Sequence, residues 1–212
     1  MPGRPDRTVV VVGTGTDVGK TWVTAALARV LAGQGVRVAA RKPVQSFAPE
    51  DPPEGRDAAV LGAATGEAPD LVCPPHRSYE VPLAPPMAAA ALGRPRIALA
   101  TLLDELRWPE GCAIGFVETV GGVRSPISDD ADGVALVEAL APDLVLLVAD
   151  AGLGTVNLVR LTIAALAGRP LLTILNRFDA GDALHRDNRA WLQGRDRLDV
   201  VTTVDELAGR LR

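Results

Sequence analysis

A glycine-rich segment near the N-terminus has the composition of a phosphate-binding loop. It follows a short apolar run and precedes a helical pattern that begins at Lys20, and it consists of Gly13, Thr14, Gly15, Thr16, Asp17, Val18, Gly19, Lys20 and Thr21. Glycines let backbone N–H groups surround phosphate oxygens, a lysine reaches the β- and γ-phosphates, and a hydroxyl can bind Mg²⁺. Five residues, not the usual four, separate Gly13 from Gly19. The segment indicates a P-loop of modified spacing whose ligand is a nucleoside triphosphate.

A second cation follows the next apolar run, in residues 41–46. Lys42 would reach the same edge of a sheet as the P-loop, where a second positive charge stabilises charge developing on a transferred phosphoryl group. Ser46 would be a hydrogen-bond donor nearby. Taken alone, Lys42 is also explained as a solvated lysine at the end of a strand.

Three acidic residues are candidates for the metal side of such a site. Glu118 ends a strand-length apolar run just before a Gly-Gly pair, and a strand-end acid is the usual carboxylate on the Mg²⁺ side of a P-loop. Asp150 ends the next apolar run and is a rival for that role. Asp57 begins a helical pattern, where stabilisation by the helix dipole explains a carboxylate equally well.

The elements that position these residues alternate between strands and helices. Apolar runs of strand length occur at residues 8–12, 36–40, 112–117, 144–149, 171–175 and 198–201. Helical spacing of apolar residues occurs at 21–31 and 155–167, and Gly168 and Pro170 end the second of these. The pattern predicts an α/β, doubly wound, mainly parallel sheet with helices on both faces, a P-loop NTPase fold of the SIMIBI type. Ligands of such folds bind at the carboxyl ends of the strands.

Two proline-rich segments interrupt this alternation, at residues 47–53 and 69–86. The second holds six prolines, so both segments are predicted to be long loops without regular helix. A functional loop and a surface loop without a function are equally good interpretations of each segment.

Composition limits the classes of function. At roughly 100–200 residues per domain, 212 residues predict one domain over positions 1–212. The net charge of −4 offers no basic field for a polyanion, so we expect no nucleic-acid partner. No apolar stretch reaches the ~20 residues of a membrane span, and no signal sequence is visible, so we expect a cytoplasmic protein without a membrane partner. Cys73 and Cys112 are predicted to be buried, reduced side chains.

The motifs together resemble the dethiobiotin synthetase family, from residue 8 to about residue 176. The matching features are G-T-x-T-x-V-G-K-T at 13–21, K-P-V-x-S at 42–46, the acid at 57, a Glu before Gly-Gly at 118–122, G-T-x-N at 154–157 and Asn176. A generic P-loop protein would share only the first of these. Members are ATP- and Mg²⁺-dependent cyclo-ligases that close the ureido ring of dethiobiotin from 7,8-diaminopelargonate and CO₂.

The resemblance implies roles for individual residues. Thr21, Asp57 and Glu118 would surround Mg²⁺, while Lys20 and Lys42 would neutralise the phosphates and the carbamate. Thr16 and Ser46 would contact the reacting groups, and Asn176 would read the adenine edge. The substrate carboxylate would be held by the neighbouring subunit of a homodimer, through Gly154, Thr155, Val156 and Asn157. A helix N-terminus suits a carboxylate on physical grounds as well.

Two departures from the family pattern leave alternatives open. Thr119-Val120 replaces Gly-Ala after the metal-side acid, and residues 201–204 replace an Ile-Pro pair expected beside the base. The first change favours an alternative in which a related ligase cyclises a different diamine. The second leaves the preferred base open. A nucleotide-dependent switch of the ParA and MinD type is a further alternative, although it would have no use for Lys42 or the G-T-x-N turn.

Overall fold

A six-stranded parallel sheet forms the centre of the fold. The computed structural model describes residues 4–166 and 168–211. Its strands are β1 (Arg7–Gly13), β2 (Val38–Arg41), β3 (Gln45–Ser46), β4 (Ser78–Tyr79), β5 (Ile114–Glu118), β6 (Leu144–Asp150), β7 (Leu171–Asn176) and β8 (Val200–Val201). The main sheet has the order β2-β5-β1-β6-β7-β8 with parallel pairing throughout, while β3 and β4 form a separate parallel pair.

Helices follow most of the strands. They are α1 (Lys20–Gly33), α2 (Asp57–Thr65), α3 (Pro69–Val72), α4 (Pro85–Ala91), α5 (Leu99–Glu105), α6 (Gly133–Leu140), α7 (Thr155–Ala165), α8 (Ala183–Gly194) and α9 (Val204–Arg210). Short 3₁₀ turns cover Pro53–Gly55 and Pro75–Arg77. Among the described residues, no helix is both long and apolar enough to cross a membrane.

The core lies in two layers because successive side chains of a strand point to opposite faces of the sheet. Val9 and Val11 of β1 belong to the layer that α1, α2 and α9 cover. Val10 and Val12 belong to the opposite layer, which is completed by residues of α4 to α8. Both faces of the central strands are therefore buried, which is why these strands are continuous apolar runs in the sequence.

The predicted α/β architecture, with a parallel sheet covered on both faces, is confirmed. Each predicted strand is present, with ends that differ by up to two residues. Helix α7 ends at Ala165, and Ala167, the predicted last residue, lies outside the described residues. Gly168 has φ +82°, a conformation that favours glycine after a helix.

The prediction of no regular helix within residues 69–86 was wrong. Pro69 and Pro85 each lie in the first turn of a helix, α3 and α4, and Pro75 begins a 3₁₀ turn. A proline there breaks no helical hydrogen bond, because the first N–H groups of a helix have no partner within the helix. In this segment the prolines start helices instead of preventing them.

Candidate active site

The P-loop joins β1 to α1 at the centre of the sheet's carboxyl edge. Asp17 and Gly19 both have left-handed backbone, with φ +58° and +91°. Gly19 is the residue before α1, so the helix N-terminus lies directly behind the loop. Lys20 Nζ donates a hydrogen bond to the Gly15 carbonyl at 2.8 Å. The lysine thus points back along the loop, the direction in which phosphate oxygens are bound.

Lys20 is less basic than an ordinary lysine. Burial, together with the positive charge of Lys42, lowers the pKa of Lys20 to about 8, although Glu118 and Asp57 act in the opposite direction. A phosphate ligand would favour its protonated form.

Lys42 is buried between two carboxylates beside the P-loop. Its side chain is 2% exposed, and Nζ lies 2.6 Å from Asp57 Oδ2 and 2.7 Å from Glu118 Oε1. It also donates to the Thr119 carbonyl at 3.1 Å. Burial alone would lower the pKa of Lys42, but the two carboxylates outweigh burial and raise it above the usual value. The alternative of a solvated lysine at a strand end therefore fails.

The two carboxylates share a hydroxyl partner on the P-loop helix. Thr21 Oγ1 lies 2.8 Å from Asp57 Oδ1 and 2.7 Å from Glu118 Oε1. Burial would raise the pKa of Asp57, but Lys42 and the Thr21 hydrogen bond lower it. One hydroxyl and two carboxylates, from α1, α2 and β5, thus meet at one point beside the P-loop.

This donor set fits Mg²⁺ bound together with a nucleotide. Mg²⁺ is usually held by one or two carboxylates plus substrate phosphates, and it keeps several waters. Within residues 4–166 and 168–211, no group of three or more His, Cys, Asp or Glu side chains could bind a metal by itself. Thr21, Asp57 and Glu118 offer one hydroxyl and two carboxylates, and phosphate oxygens and waters would complete the coordination of Mg²⁺.

The structure separates Glu118 from its rival Asp150. Asp150 Oδ2 pairs with Arg177 Nη1 at 2.9 Å, and its other oxygen accepts the Gly152 N–H at 2.8 Å. Glu118 instead contacts Thr21 and Lys42 from the end of the strand beside the P-loop. Of these two acids, only Glu118 lies with the other candidate ligands.

A cleft of about 940 Å³ opens over these groups. Its lining includes predicted residues from four segments, namely Thr16, Asp17, Gly19, Lys20, Thr21, Lys42, Ser46 and Asp57. Ser46 donates to the Leu83 carbonyl at 2.6 Å, which ties β3 to the loop before α4. The proline-rich segments contribute Phe47, Leu83 and Pro85 to the cleft, so a part of each borders the candidate site.

The Thr119-Val120 pair divides between the core and the cleft. Thr119 is buried, and its hydroxyl donates to the Val11 carbonyl at 3.2 Å. Val120 lines the cleft. A charged loop follows at residues 124–130. The carboxylates of Asp129 and Asp130 accept hydrogen bonds from the N–H groups of Ile97 and Leu99, in another segment. Val120, Gly121 and Ser125 of this region line the cleft, whereas Thr119 does not.

Two predicted elements lie apart from the cleft lining. Gly154 to Asn157 form the start of α7, with Asn157 exposed, and the residues that line the cleft do not include them. Asn176 is buried under the P-loop, where its amide donates to the Val18 carbonyl at 3.0 Å. Its amide protons therefore support the loop in this structure, and adenine recognition by Asn176 stays a prediction.

Two residues that position Glu118 and Asp57 were not predicted from the sequence. Thr24 Oγ1 lies 3.0 Å from Glu118 Oε2 and orients the carboxylate. Gln45 accepts the Ala58 N–H at 3.0 Å and thereby fixes the start of α2 beside Asp57. Thr24 lies three residues after Thr21 on the same helix face, a spacing that could have indicated it. Gln45 carried no comparable signal, because its partner is distant in sequence.

The chain is similar to curated enzymes over most of its length. A family model described as an AAA domain matches residues 7–209. The ATP-dependent dethiobiotin synthetase BioD of Caulobacter vibrioides is 36% identical over 183 residues, covering 83% of both chains. The enzyme of the same name from Rhodococcus jostii is 36% identical and covers 96% of this chain and 88% of its own.

Solved structures of P-loop proteins share the fold. Chloroplast FtsY from Physcomitrella patens has a TM-score of 0.53 at 17% identity, over 97% of this chain and 61% of its own. A putative plasmid partition protein from Borrelia burgdorferi, bound to AMPPNP, has a TM-score of 0.54 at 14% identity. At these identities the likeness establishes the P-loop NTPase fold alone. The sequence relatives go further, and by their identity and coverage the chain belongs to the ATP-dependent dethiobiotin synthetase family.

Proposed function

We propose that the protein is an ATP- and Mg²⁺-dependent cyclo-ligase that forms the ureido ring of dethiobiotin from 7,8-diaminopelargonate and CO₂. The observation that carries this proposal is the cleft lined by Lys20, Thr21, Lys42 and Asp57. The buried Glu118 carboxylate contacts Thr21 and Lys42 beside it. A carbamate and a triphosphate repel each other, so their reaction requires cations at the point where they meet. Family membership supports the same activity.

The chemistry consists of three balanced steps. One amine adds to CO₂ and loses a proton, giving a carbamate. A carbamate oxygen then forms a bond to the γ-phosphorus of ATP as the bond to the β–γ bridging oxygen breaks and ADP leaves. The second amine attacks the carbonyl carbon, and phosphate leaves as the ring closes and that amine loses a proton.

The side chains of the cleft supply charge and position for these steps. Lys20 binds the β- and γ-phosphates, and Lys42 stabilises charge on the carbamate and the transferred phosphoryl group. Thr16 and Ser46 donate hydrogen bonds to the reacting groups. Thr21, Asp57 and Glu118 would hold Mg²⁺, which supplies charge neutralisation on the phosphates when it is bound.

The substrate carboxylate is assigned to the start of α7 in a second subunit. Thr155 Oγ1 is buried and finds no hydrogen-bond partner within the part of the chain that the structure describes. A free hydroxyl at a helix N-terminus suits a carboxylate ligand. Leu153, Leu158 and Leu161 expose 90%, 43% and 62% of their surface beside it, which supports a homodimer that covers this face.

The remaining expectations belong to the same proposal. Residues 1–212 act as one domain, the enzyme works in the cytoplasm, and neither nucleic acid nor a membrane is a partner. The net charge of −4 supports the exclusion of nucleic acid.

The direct test is release of phosphate from ATP and Mg²⁺ by the purified protein with bicarbonate, with and without 7,8-diaminopelargonate. Release that needs the diamine, with a ureido product of the expected mass, would support the proposal. Lys20→Ala and Lys42→Ala should each lower turnover by several orders of magnitude. Slow release that ignores the diamine would favour a nucleotide switch.

A related ligase for another diamine is the second candidate. Val120 carries this alternative, because it brings a branched side chain into the cleft where the family has a smaller residue. Phosphate release with shorter or more polar diamines, but not with 7,8-diaminopelargonate, would select it.

A further inference from the structure

Arg177 stands at the edge of the cleft in a strained conformation. It follows Asn176 at the end of β7 and lines the cleft, and its φ is +56°. Its Nη2 donates to the Asp17 carbonyl at 2.7 Å, and Asp17 itself has φ +58°. Left-handed backbone costs a residue with a side chain about 1 kcal/mol or more and persists where the surroundings impose it. The hydrogen bond between these two left-handed residues therefore fixes the position of Arg177 at the cleft.

The order of the strands places Arg177 opposite the second lysine. Lys42 and Glu118 follow β2 and β5 on one side of the P-loop, whereas Arg177 follows β7 on the other. A nucleotide bound to the P-loop would have its phosphates between these two sides. When the γ-phosphate of a nucleotide faces Lys42, its nucleoside end must extend towards Arg177.

The guanidinium group is fixed by hydrogen bonds that lie in its own plane. Nη1 donates to Asp150 Oδ2 at 2.9 Å, Nη2 donates to the Asp17 carbonyl, and Asp150 is held in turn by the Gly152 N–H. Contacts of this kind leave the flat faces of the group available, and the Arg177 side chain is 59% exposed. A planar, delocalised cation held in place is suited to stack on an aromatic ring with little loss of entropy.

We propose that Arg177 is a specificity-determining residue, the platform on which the base of the nucleotide stacks. The inference rests on the proposed function only in taking a nucleoside triphosphate as the ligand. A stacking platform favours the larger ring of a purine over a pyrimidine without reading hydrogen bonds at the base edge. Stacking on Arg177 should therefore favour ATP and GTP over UTP, whereas a choice between ATP and GTP would depend on the base edge, the role predicted for Asn176.

Isothermal titration calorimetry with two probes, ATP and inorganic tripolyphosphate, tests this role in the presence of Mg²⁺. Tripolyphosphate has the phosphates but no base. Arg177→Ala should weaken ATP binding about fivefold to tenfold, change tripolyphosphate binding by less than about twofold, and reduce the preference for ATP over UTP. Arg177→Lys keeps the charge without the planar face and should show the same pattern.

Arg210→Ala is the matched control. Arg210 pairs with Asp199 at 2.7 Å and is 55% exposed, much like Arg177, but it lies outside the cleft lining. This variant should bind both probes like the unmodified protein, and thermal unfolding of all three variants checks their folding.

Several outcomes would overturn the inference. If Arg177→Ala weakened the binding of ATP and of tripolyphosphate equally, Arg177 would act on the phosphates or the P-loop. Full ATP affinity in Arg177→Lys would mean that charge alone suffices, and unchanged affinity in Arg177→Ala would remove the residue from the site. An unmodified protein that binds neither probe would refute the proposed function itself.

Discussion

Replacing Lys42 by methionine should destabilise the fold as well as the site. The ammonium group is the partner of Asp57 and Glu118 at 2.6 and 2.7 Å, and the Glu118 side chain is fully buried. Methionine keeps the length of the lysine stem but removes the cation, so two neighbouring carboxylates lose their common partner. Removing one member of a buried ion pair costs about 3–5 kcal/mol. We expect about 3 kcal/mol here, because Asp57 is 36% exposed and remains partly solvated.

A second substitution separates lost charge from lost packing. Lys42→Met combined with Glu118→Gln removes the fully buried carboxylate charge and keeps its shape. If the uncompensated charge causes the instability, this double variant should recover more than half of the loss. If packing causes it, the double variant should be no more stable than the single one.

The loss of stability caused by Lys42→Met should also depend on pH. In the unmodified protein the pKa of Asp57 is lowered, so its stabilising contribution is present at neutral pH and is lost as the pH falls. Without Lys42, the pKa of Asp57 is no longer lowered by that cation, so the variant gains stability relative to the unmodified protein as Asp57 becomes protonated. The gap between the two proteins should therefore be largest near pH 7 and narrow towards pH 5.

Urea unfolding at both pH values, followed by tryptophan fluorescence, measures these differences. Trp108 is a suitable reporter, because it packs against the core beside β5 and under Arg41. A loss below about 1 kcal/mol at pH 7, in the range of exposed ion pairs, would refute the reasoning. A gap that grows towards pH 5 would refute it as well.

Three further predictions concern single residues. Burial raises the pKa of the Cys73 thiol to about 12, so iodoacetamide at pH 8 should label it about 1000-fold more slowly in the native than in the urea-unfolded protein; fast native labelling, read by mass spectrometry, would contradict its burial. Asn157→Ala should raise the KM for the diamine more than it lowers kcat, because a remote contact supplies ground-state binding, and an unchanged KM would remove the carboxylate role. Val120→Ala should raise kcat/KM for bulkier diamines about threefold or more, whereas Thr119→Ser, which keeps the buried hydroxyl, should leave it unchanged.

The placement of the strand-end residues beside the P-loop could be predicted from the sequence. Lys42 and Glu118 follow buried strands, and parallel strands bring their carboxyl ends to one edge of the sheet. Their meeting with the P-loop therefore follows from topology. The structure adds the geometry, with Lys42 Nζ between two carboxylates instead of in solvent.

Contacts between distant segments could not be predicted in the same way. Gln45 accepts a hydrogen bond from the first turn of α2, beside Asp57. Asp150 differs from Glu118 because it pairs with Arg177, whereas Glu118 contacts Thr21 and Lys42. Thr119 and Val120 together replace the Gly-Ala pair of the family, yet Val120 lines the cleft while the Thr119 hydroxyl bonds to the Val11 carbonyl of β1. The local sequence pattern does not predict these hydrogen bonds, because each partner comes from another strand or loop.

The two lysines beside the P-loop have different partners, and this difference predicts that they act at different stages of the proposed reaction. Lys20 donates to a backbone carbonyl and has a lowered pKa, so a phosphate can take the place of that carbonyl and favour the protonated lysine. Lys42 is bound by two carboxylates and leaves them only if another cation replaces it. A divalent ion that arrived with the nucleotide would meet this condition if it were held by Asp57 and Glu118, the metal ligands proposed above. We therefore expect Lys42 to become available to the carbamate only after the nucleotide and its metal have bound.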